Sequence, residues 1–272
     1  KIVTKYMLGL SATMDRKDGL TKVFKKFMGP VVVKKERPLQ DNVVVKAIEY
    51  TTDDEEFSKV SLNFRGHTNY TIMIKKICEF NRRSEFILKV VQDLLKKDTP
   101  ELHIMIIGHN KSLLKYLFDA IENRKIAPVG YYIGGMKEKD LKTSEGKKII
   151  IATYAMAEEA LDIKTLSTLV MATPKVDVRQ AVGRILRNVE GKKLVVDIID
   201  KHDIFKKHWC KRRTWYKKQQ FKIMRTDLEG YKNNEWEEIN TKKSKKSNKK
   251  TKQISVTDPL QKLFTGKCLI DM

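Results

Sequence analysis

Arg184 and Arg187 stand three apart in VDVRQAVGRILRN (residues 176–188), behind Gln180 and with Gly183 just before the first of them. Residues at this spacing share a helix face, and two guanidiniums on one face repel unless an anion lies opposite. A surface carboxylate or plain water would satisfy them, and so would a bound anion; the string alone does not choose. Other stretches carry groups of similar kind. Ser11 and Thr13 flank an alanine ahead of Arg16 and Asp18, a pattern that by itself reads as a helix N-cap. His109 follows LHIMIIG, and Gly134, Gly135 and Lys137 follow PVGYYI. Thr153 precedes Glu159 and Asp162, which are again three apart.

Chemistry of this kind needs elements to hold it. From about residue 84, short apolar runs alternate with amphipathic stretches. LHIMIIG (102–108) reads as a buried strand and NKSLLKYLFDAIENRK as a helix. PVGYYIGG, KKIIIAT (147–153), LSTLVMAT and KKLVVDIID (192–200) read as strands, with YAMAEEALD and the arginine segment as helices among them. Such alternation predicts an α/β fold: βαβ units and a parallel sheet flanked by helices on both faces. In these sheets ligands bind beyond the carboxyl ends of the strands, where the residues named above fall.

The flanks differ. Residues 1–48 read as the tail of a second sheet, with YMLGL and PVVVKK as strands and LTKVFKKF as a helix. Residues 49–83 read as a connector, 84–204 as the principal lobe, and 205–240 as a basic helical extension bearing Phe205, Trp209, Trp215, Tyr216 and Phe221. Those aromatics either dock on the lobe or stack on single-stranded bases. Residues 241–272, which include TKKSKKSNKKTK, are expected to be a largely disordered tail.

The chain has 56 Lys+Arg against 34 Asp+Glu, a formal net charge of +22 over 272 residues. A surface that basic attracts polyanions, of which nucleic acid is the commonest. Lysines outnumber arginines, which suits backbone neutralisation more than base reading. A transmembrane helix is not expected, since no run of about eighteen apolar residues occurs. Cys78, Cys210 and Cys268 are far apart and odd in number. They argue against a disulfide scaffold and for a reducing, intracellular compartment. His202, His208 and Cys210 lie close together without a second cluster, so no metal site is expected.

In order and spacing, LGLSATMDRKDGL, IMIIGHNKSLL, YYIGGMK, IIIATYAMAEEALDI and RQAVGRILR resemble the later motifs of superfamily 2 helicases. The run S-A-T-x-x-R-x-D-G is similar to that of the group containing XPB, phage UvsW and the helicases of large DNA viruses. GGMK and KICEFNRRSEFI resemble its phage and giant-virus members most, the transcript-release type among them.

The resemblance implies a RecA-like second lobe over 84–204, preceded by the end of a first lobe, with ATP clamped between the two. Arg187 would be the arginine finger and Arg184 its phosphate-side neighbour, because guanidiniums stabilise the charge that develops on the γ-phosphate. Gln180 would bond near the γ-phosphate or the attacking water, and Gly183 would keep the helix close to the opposite lobe. Glu159 and Asp162 would orient the arginines or hold the ribose; an exposed acidic pair is the plainer reading. Ser11 and Thr13 would couple hydrolysis to lobe movement. Thr153, Gly134, Gly135, Lys137, His109 and Arg16 would hold the nucleic-acid backbone, DNA ahead of RNA. The two glycines read equally well as a strand-to-helix turn, and His109 as a local cap. Ala160 stands where the family commonly has glycine, which puts the closest backbone approach there in question.

No G-x-x-x-x-G-K-[ST] loop and no DExH box occur in the sequence, and it begins Lys-Ile-Val-Thr without a methionine. The expectation is therefore a fragment or separate subunit, inactive alone, whose missing N-terminal lobe brings the phosphate loop and the Mg2+ ligands for ATP. The implied function is the C-terminal part of an ATP-dependent helicase or translocase. Viral transcription termination, beside the transcription machinery, or recombination and repair is its implied setting, in the virion and host cytoplasm. The second reading is a non-catalytic nucleic-acid-binding or structural protein retaining a helicase lobe. Intact Gln180, Arg184 and Arg187 favour the first.

Overall fold

The computed structural model describes residues 8–10, 19–33, 42–96, 102–159, 163, 165–185 and 191–239. Thr21–Met28 forms α1 and Val43–Tyr50 forms β1, followed by α2 (Glu55–Ser58), α3 (Tyr70–Glu79) and α4 (Asn81–Leu95). The alternating part then runs β2 (Ile104–Gly108), α5 (Lys111–Asn123), β3 (Val129–Tyr132), α6 (Glu138–Glu145), β4 (Ile149–Thr153) and α7 (Tyr154–Glu159). It continues through β5 (Thr168–Met171), α8 (Arg179–Ile185) and β6 (Lys193–Asp200). α9 (Asp203–Lys218), β7 (Lys222–Asp227), α10 (Leu228–Asn233) and β8 (Glu237–Glu238) follow. All the strands join one sheet in the order β3-β4-β2-β5-β6-β1-β7-β8. Every pairing is parallel except β7 with β8.

The sequence explains the middle of the sheet. Ile104–Ile107, Ile149–Ala152 and Leu169–Met171 are apolar at successive positions and buried, as a strand covered on both faces requires. Alternation then sorts the longer strand β6. Val195 and Ile199 face a cluster with Trp209 and Tyr216, while Val196 and Ile198 face Ile87, Leu88 and Phe205. Burying each such side chain contributes about 1.5–3 kcal/mol. Asparagines start two of the helices. The Asn69 Oδ1 accepts from the Ile72 N–H at 3.2 Å, and the Asn110 Oδ1 from the Ser112 N–H at 2.8 Å.

Four expectations about the flanks need correction. The segment through residue 48 was expected to close a preceding lobe, yet Val43–Tyr50 pairs with both β6 and β7 inside this sheet. Its Val-Val-Val-Lys-Ala-Ile run buries alternate residues against the same core, so a boundary at 48 would cut a strand. The extension after 204 was expected to be helical throughout. It contains α9, but β7 and β8 then widen the sheet beyond β1, the Ile223 side chain being fully buried. Nor is the stretch between 49 and 83 a loose connector, because Phe57, Met73 and Ile77 are core residues. Leu8–Leu10 and Val31–Val33, expected within strands, are irregular and exposed; among the described residues they have no ladder partner. A strand without a neighbour leaves its backbone groups to water. The helix expected over LTKVFKKF is present as α1, with Phe27 exposed at 73%. The tail from 241 lies outside the described residues.

Gly130 in β3 fixes how closely α6 approaches the sheet. A Cβ there would meet the Ser144 Cβ at 2.8 Å and its Cα at 2.9 Å. Backbone cannot swing aside as a flexible side chain would, so Gly130→Ala must push α6 outward. A loss of about 1–3 kcal/mol is expected on chemical denaturation, and an unchanged midpoint would show that α6 yields freely.

Candidate nucleotide and nucleic-acid site

Because β3, β4, β2 and β5 are parallel neighbours, the residues after them share one edge of the sheet. Gly134 and Gly135 form the turn between β3 and α6. Only Gly135 has a positive φ, +91°, which a glycine adopts without strain. A Cβ on either would meet nothing within 4 Å, so open space lies beside both α-carbons. Lys137 is exposed at the N-cap position of α6.

Thr153 ends β4 half-buried, and its Oγ1 accepts from the Met156 N–H at 3.4 Å, starting α7. That bond uses an oxygen lone pair and leaves the hydroxyl hydrogen to donate elsewhere. The expected donor role is therefore compatible with this cap role.

His109 follows β2. Its N–H donates to the Thr173 Oγ1 at 3.0 Å, and its Nδ1 lies 3.0 Å from the same oxygen. Thr173 accepts the first bond, and in the second its hydroxyl donates to a bare Nδ1 or accepts from a protonated one, according to the ring tautomer. Burial against Tyr154, with ring centroids 4.5 Å apart, lowers its pKa to about 4, and the charges of Lys175 and His208 push the same way. Solvent at the exposed side of the ring tempers the burial. At neutral pH the imidazole is uncharged, so any contact with a phosphate would come from a neutral N–H.

The arginine helix α8 follows the 172–178 loop after β5. Gln180 is exposed, and Gly183 and Arg184 are half-buried. The Arg184 fork turns inward, with Nε donating to the Glu158 carbonyl at 3.1 Å and Nη2 to the same oxygen. It thereby ties α8 to α7. Glu159 is the last residue of α7; Asp162, Arg187, Ala160, Ser11, Thr13 and Arg16 lie outside the described residues.

No family model matches the chain. It is 36% identical over 233 residues to the "Putative ATP-dependent RNA helicase L396" of Acanthamoeba polyphaga mimivirus, covering 83% of this chain and 44% of that protein. It is 26% identical over 245 residues to the "Putative ATP-dependent RNA helicase QP509L" of African swine fever virus, covering 83% and 48%. The chain is a homologue of viral helicases. It spans about half the length of the curated relatives it matches. Among solved structures T4 UvsW, a superfamily 2 helicase, matches it with a TM-score of 0.56 at 24% identity, covering 69% of this chain and 42% of that one. The fold of this viral-helicase homologue is the RecA-like sheet that the five motifs implied, and their resemblance to phage and giant-virus helicases is borne out.

The same edge of the helicase homologue holds residues that the motifs did not reveal. Asp197 and Asp200 sit near the carboxyl end of β6, on opposite faces, and both are buried. Arg212 of α9 grips Asp197, Nε to Oδ2 at 2.7 Å and Nη2 to Oδ1 at 2.8 Å, and the Tyr216 hydroxyl adds a bond at 3.3 Å. Arg83 of α4 grips Asp200 from the other face, at 2.6 and 3.0 Å. Burial alone would lower the Arg212 pKa, but the Asp197 carboxylate more than offsets it and the net shift is upward. The signals were present in the sequence. Two aspartates in a strand covered on both faces require cationic partners, and Arg212 lies in the apolar stripe Phe205, Trp209, Tyr216 at helical spacing. Phe205, Trp209, Tyr216 and Phe221 are themselves buried, so those four aromatics dock on the lobe.

Proposed function

We propose that this chain provides the second RecA-like lobe of an ATP-dependent nucleic-acid helicase or translocase. The observation that carries the reading is one sheet edge: Thr153, the Gly134–Gly135 turn, His109 and the arginine helix, in a chain homologous to viral helicases. Arg187 acts as the arginine finger on the γ-phosphate, and Gln180 bonds beside it. Arg184 holds α8 to α7, so that helix, finger and Thr153 move as a unit. Glu159 and Asp162 hold the ribose or orient the arginines, while Ser11 and Thr13 couple hydrolysis to movement of the lobes. Thr153, Gly134, Gly135, Lys137, His109 and Arg16 contact the backbone of the strand.

The bound group is ATP with Mg2+, whose phosphate loop and acidic ligands belong to the other lobe. The exposed Gln180 amide and a guanidinium-bearing helix suit a polyphosphate, as does the overall basic charge. Two relatives carry names of RNA helicases, which sets RNA beside DNA as the polymer to test. Residues 43–239 form the lobe, and the lysine-rich tail adds sequence-independent attraction to phosphates. A viral setting inside the infected cell, in transcript termination or recombination and repair, fits the relatives and the unpaired Cys78 and Cys210.

The test compares two proteins. The purified 272-residue chain is expected to hydrolyse no ATP above background, and the complete helicase to do so with stimulation by DNA or RNA. Turnover by the 272-residue chain alone would overturn the two-lobe reading.

A further inference from the structure

Loops normally leave their carbonyls to water. The stretch Ala172–Lys175, between β5 and the arginine helix, does the opposite. The Ala172 carbonyl accepts from the Arg83 Nη1 at 2.8 Å, and that of Thr173 from the Tyr154 hydroxyl at 2.6 Å. The Pro174 carbonyl accepts from the Tyr70 hydroxyl at 3.4 Å, and that of Lys175 from the Arg212 Nη1 at 2.6 Å. Four successive carbonyls are thus taken by side chains of four different helices, α4, α7, α3 and α9. The two arginines are themselves anchored, each spending its other donors on a buried aspartate of β6. Arg83 reaches the loop from one face of the sheet and Arg212 from the other.

We infer that these donors are positioning residues for α8, with Tyr154 the member that also reports from the strand-binding side. The inference rests on the proposed function. Buried carbonyls need partners in any protein, but a backbone N–H for each would satisfy them. Rigid side chains anchored in a core fix the loop in three dimensions, and the loop ends at Val178, one residue before α8 begins. Where the loop sits decides where Gln180 and Arg184 are presented. Tyr154 is the first residue of α7, next to Thr153, so its hydroxyl links the motif proposed to touch the strand with the loop that carries the proposed finger. Its ring also packs at a tilt against His109 and lies under the Lys175 ammonium at 4.7 Å, contacts that phenylalanine would keep.

Tyr154→Phe removes one hydrogen bond and little else, and is the variant to make in the complete helicase. Tyr231→Phe is its control, since that hydroxyl bonds Asp93 at 3.2 Å between α10 and α4, on the β1–β7 side of the sheet. Arg184→Ala is measured in the same assay, at a temperature where circular dichroism shows every variant folded. Tyr154→Phe is expected to lower kcat for nucleic-acid-stimulated ATP hydrolysis by about ten- to a hundredfold, as small misplacements of reacting groups do. KM for ATP and strand affinity should change less than twofold, and Tyr231→Phe should leave kcat unaltered. If Arg184→Ala lowers kcat and Tyr154→Phe does not, or if Tyr231→Phe lowers it equally, the positioning role is wrong. If Arg184→Ala leaves kcat intact, α8 is not part of the ATP site, and the proposed function falls with the inference.

Discussion

Arg187→Ala in the complete helicase is expected to lower nucleic-acid-stimulated ATP hydrolysis by about 10³- to 10⁵-fold, with strand affinity nearly intact. The reason is geometric. A finger matters when charge develops on the γ-phosphate oxygens, whereas strand binding, in the function proposed above, rests on Thr153, the Gly134–Gly135 turn and dispersed lysines. Gln180, Arg184 and Arg187 recur at helical spacing along one stripe, and the inner arginine is already engaged with the Glu158 carbonyl. With Arg184 engaged in the scaffold, the proposed function leaves the reacting phosphate to Arg187. Arg187→Lys should rescue little, because an ammonium cannot reproduce a planar two-donor fork. Turnover and strand affinity measured together on both variants decide the matter. A collapse of binding with turnover per bound complex preserved would mean that the stripe grips nucleic acid instead of ATP.

Arg83→Ala should destabilise the fold by about 3–5 kcal/mol, because it strands a carboxylate in the core. Asp200 is fully buried and receives both of its bonds at 2.6 and 3.0 Å from this one side chain. The same truncation also orphans the Ala172 carbonyl. Since domains of this kind are stable by only about 5–15 kcal/mol, the variant should unfold at markedly lower denaturant concentration. The double variant Arg83→Met with Asp200→Leu removes both charges and should recover much of the loss. Equal midpoints for the single and double variants would mean that packing, and not the uncompensated charge, sets the cost.

The repeating middle of the fold was legible because its strands are short runs of mainly apolar residues and its helices are amphipathic. Both are patterns that a linear sequence carries openly. β1 and β7 were not, for a physical reason. NVVVKAIEY and FKIMR mix charged with apolar residues, and strand pairing depends on neighbours distant in the chain. Lys222 is exposed and Arg225 pairs with Glu49 on the adjacent strand, so what looks like the end of a basic helix is a strand satisfied by cross-strand charge. For the site, the spacing of Gln180, Gly183 and Arg184 marked α8 correctly as a helix. It could not reveal that Arg184 turns inward, because its partner is a backbone carbonyl, and every residue has one. The buried aspartates of β6 were readable in principle: VVDIID breaks an apolar strand twice, and each break demanded a guanidinium.

The placement of β1 also sets a problem of timing during synthesis. Val43 leaves the ribosome well before its partners, which are Lys193 on one side and, for the adjacent Val44, Lys222 on the other. At translation rates of about 5–20 residues per second, the intervening chain takes on the order of 10–30 s to appear. Throughout that interval an apolar Val-Val-Val segment has both of its edges unclaimed by the sheet it will join. Nascent chains of this architecture therefore depend on being shielded until β6 emerges, and truncations that stop short of it should accumulate as aggregate instead of a smaller folded lobe.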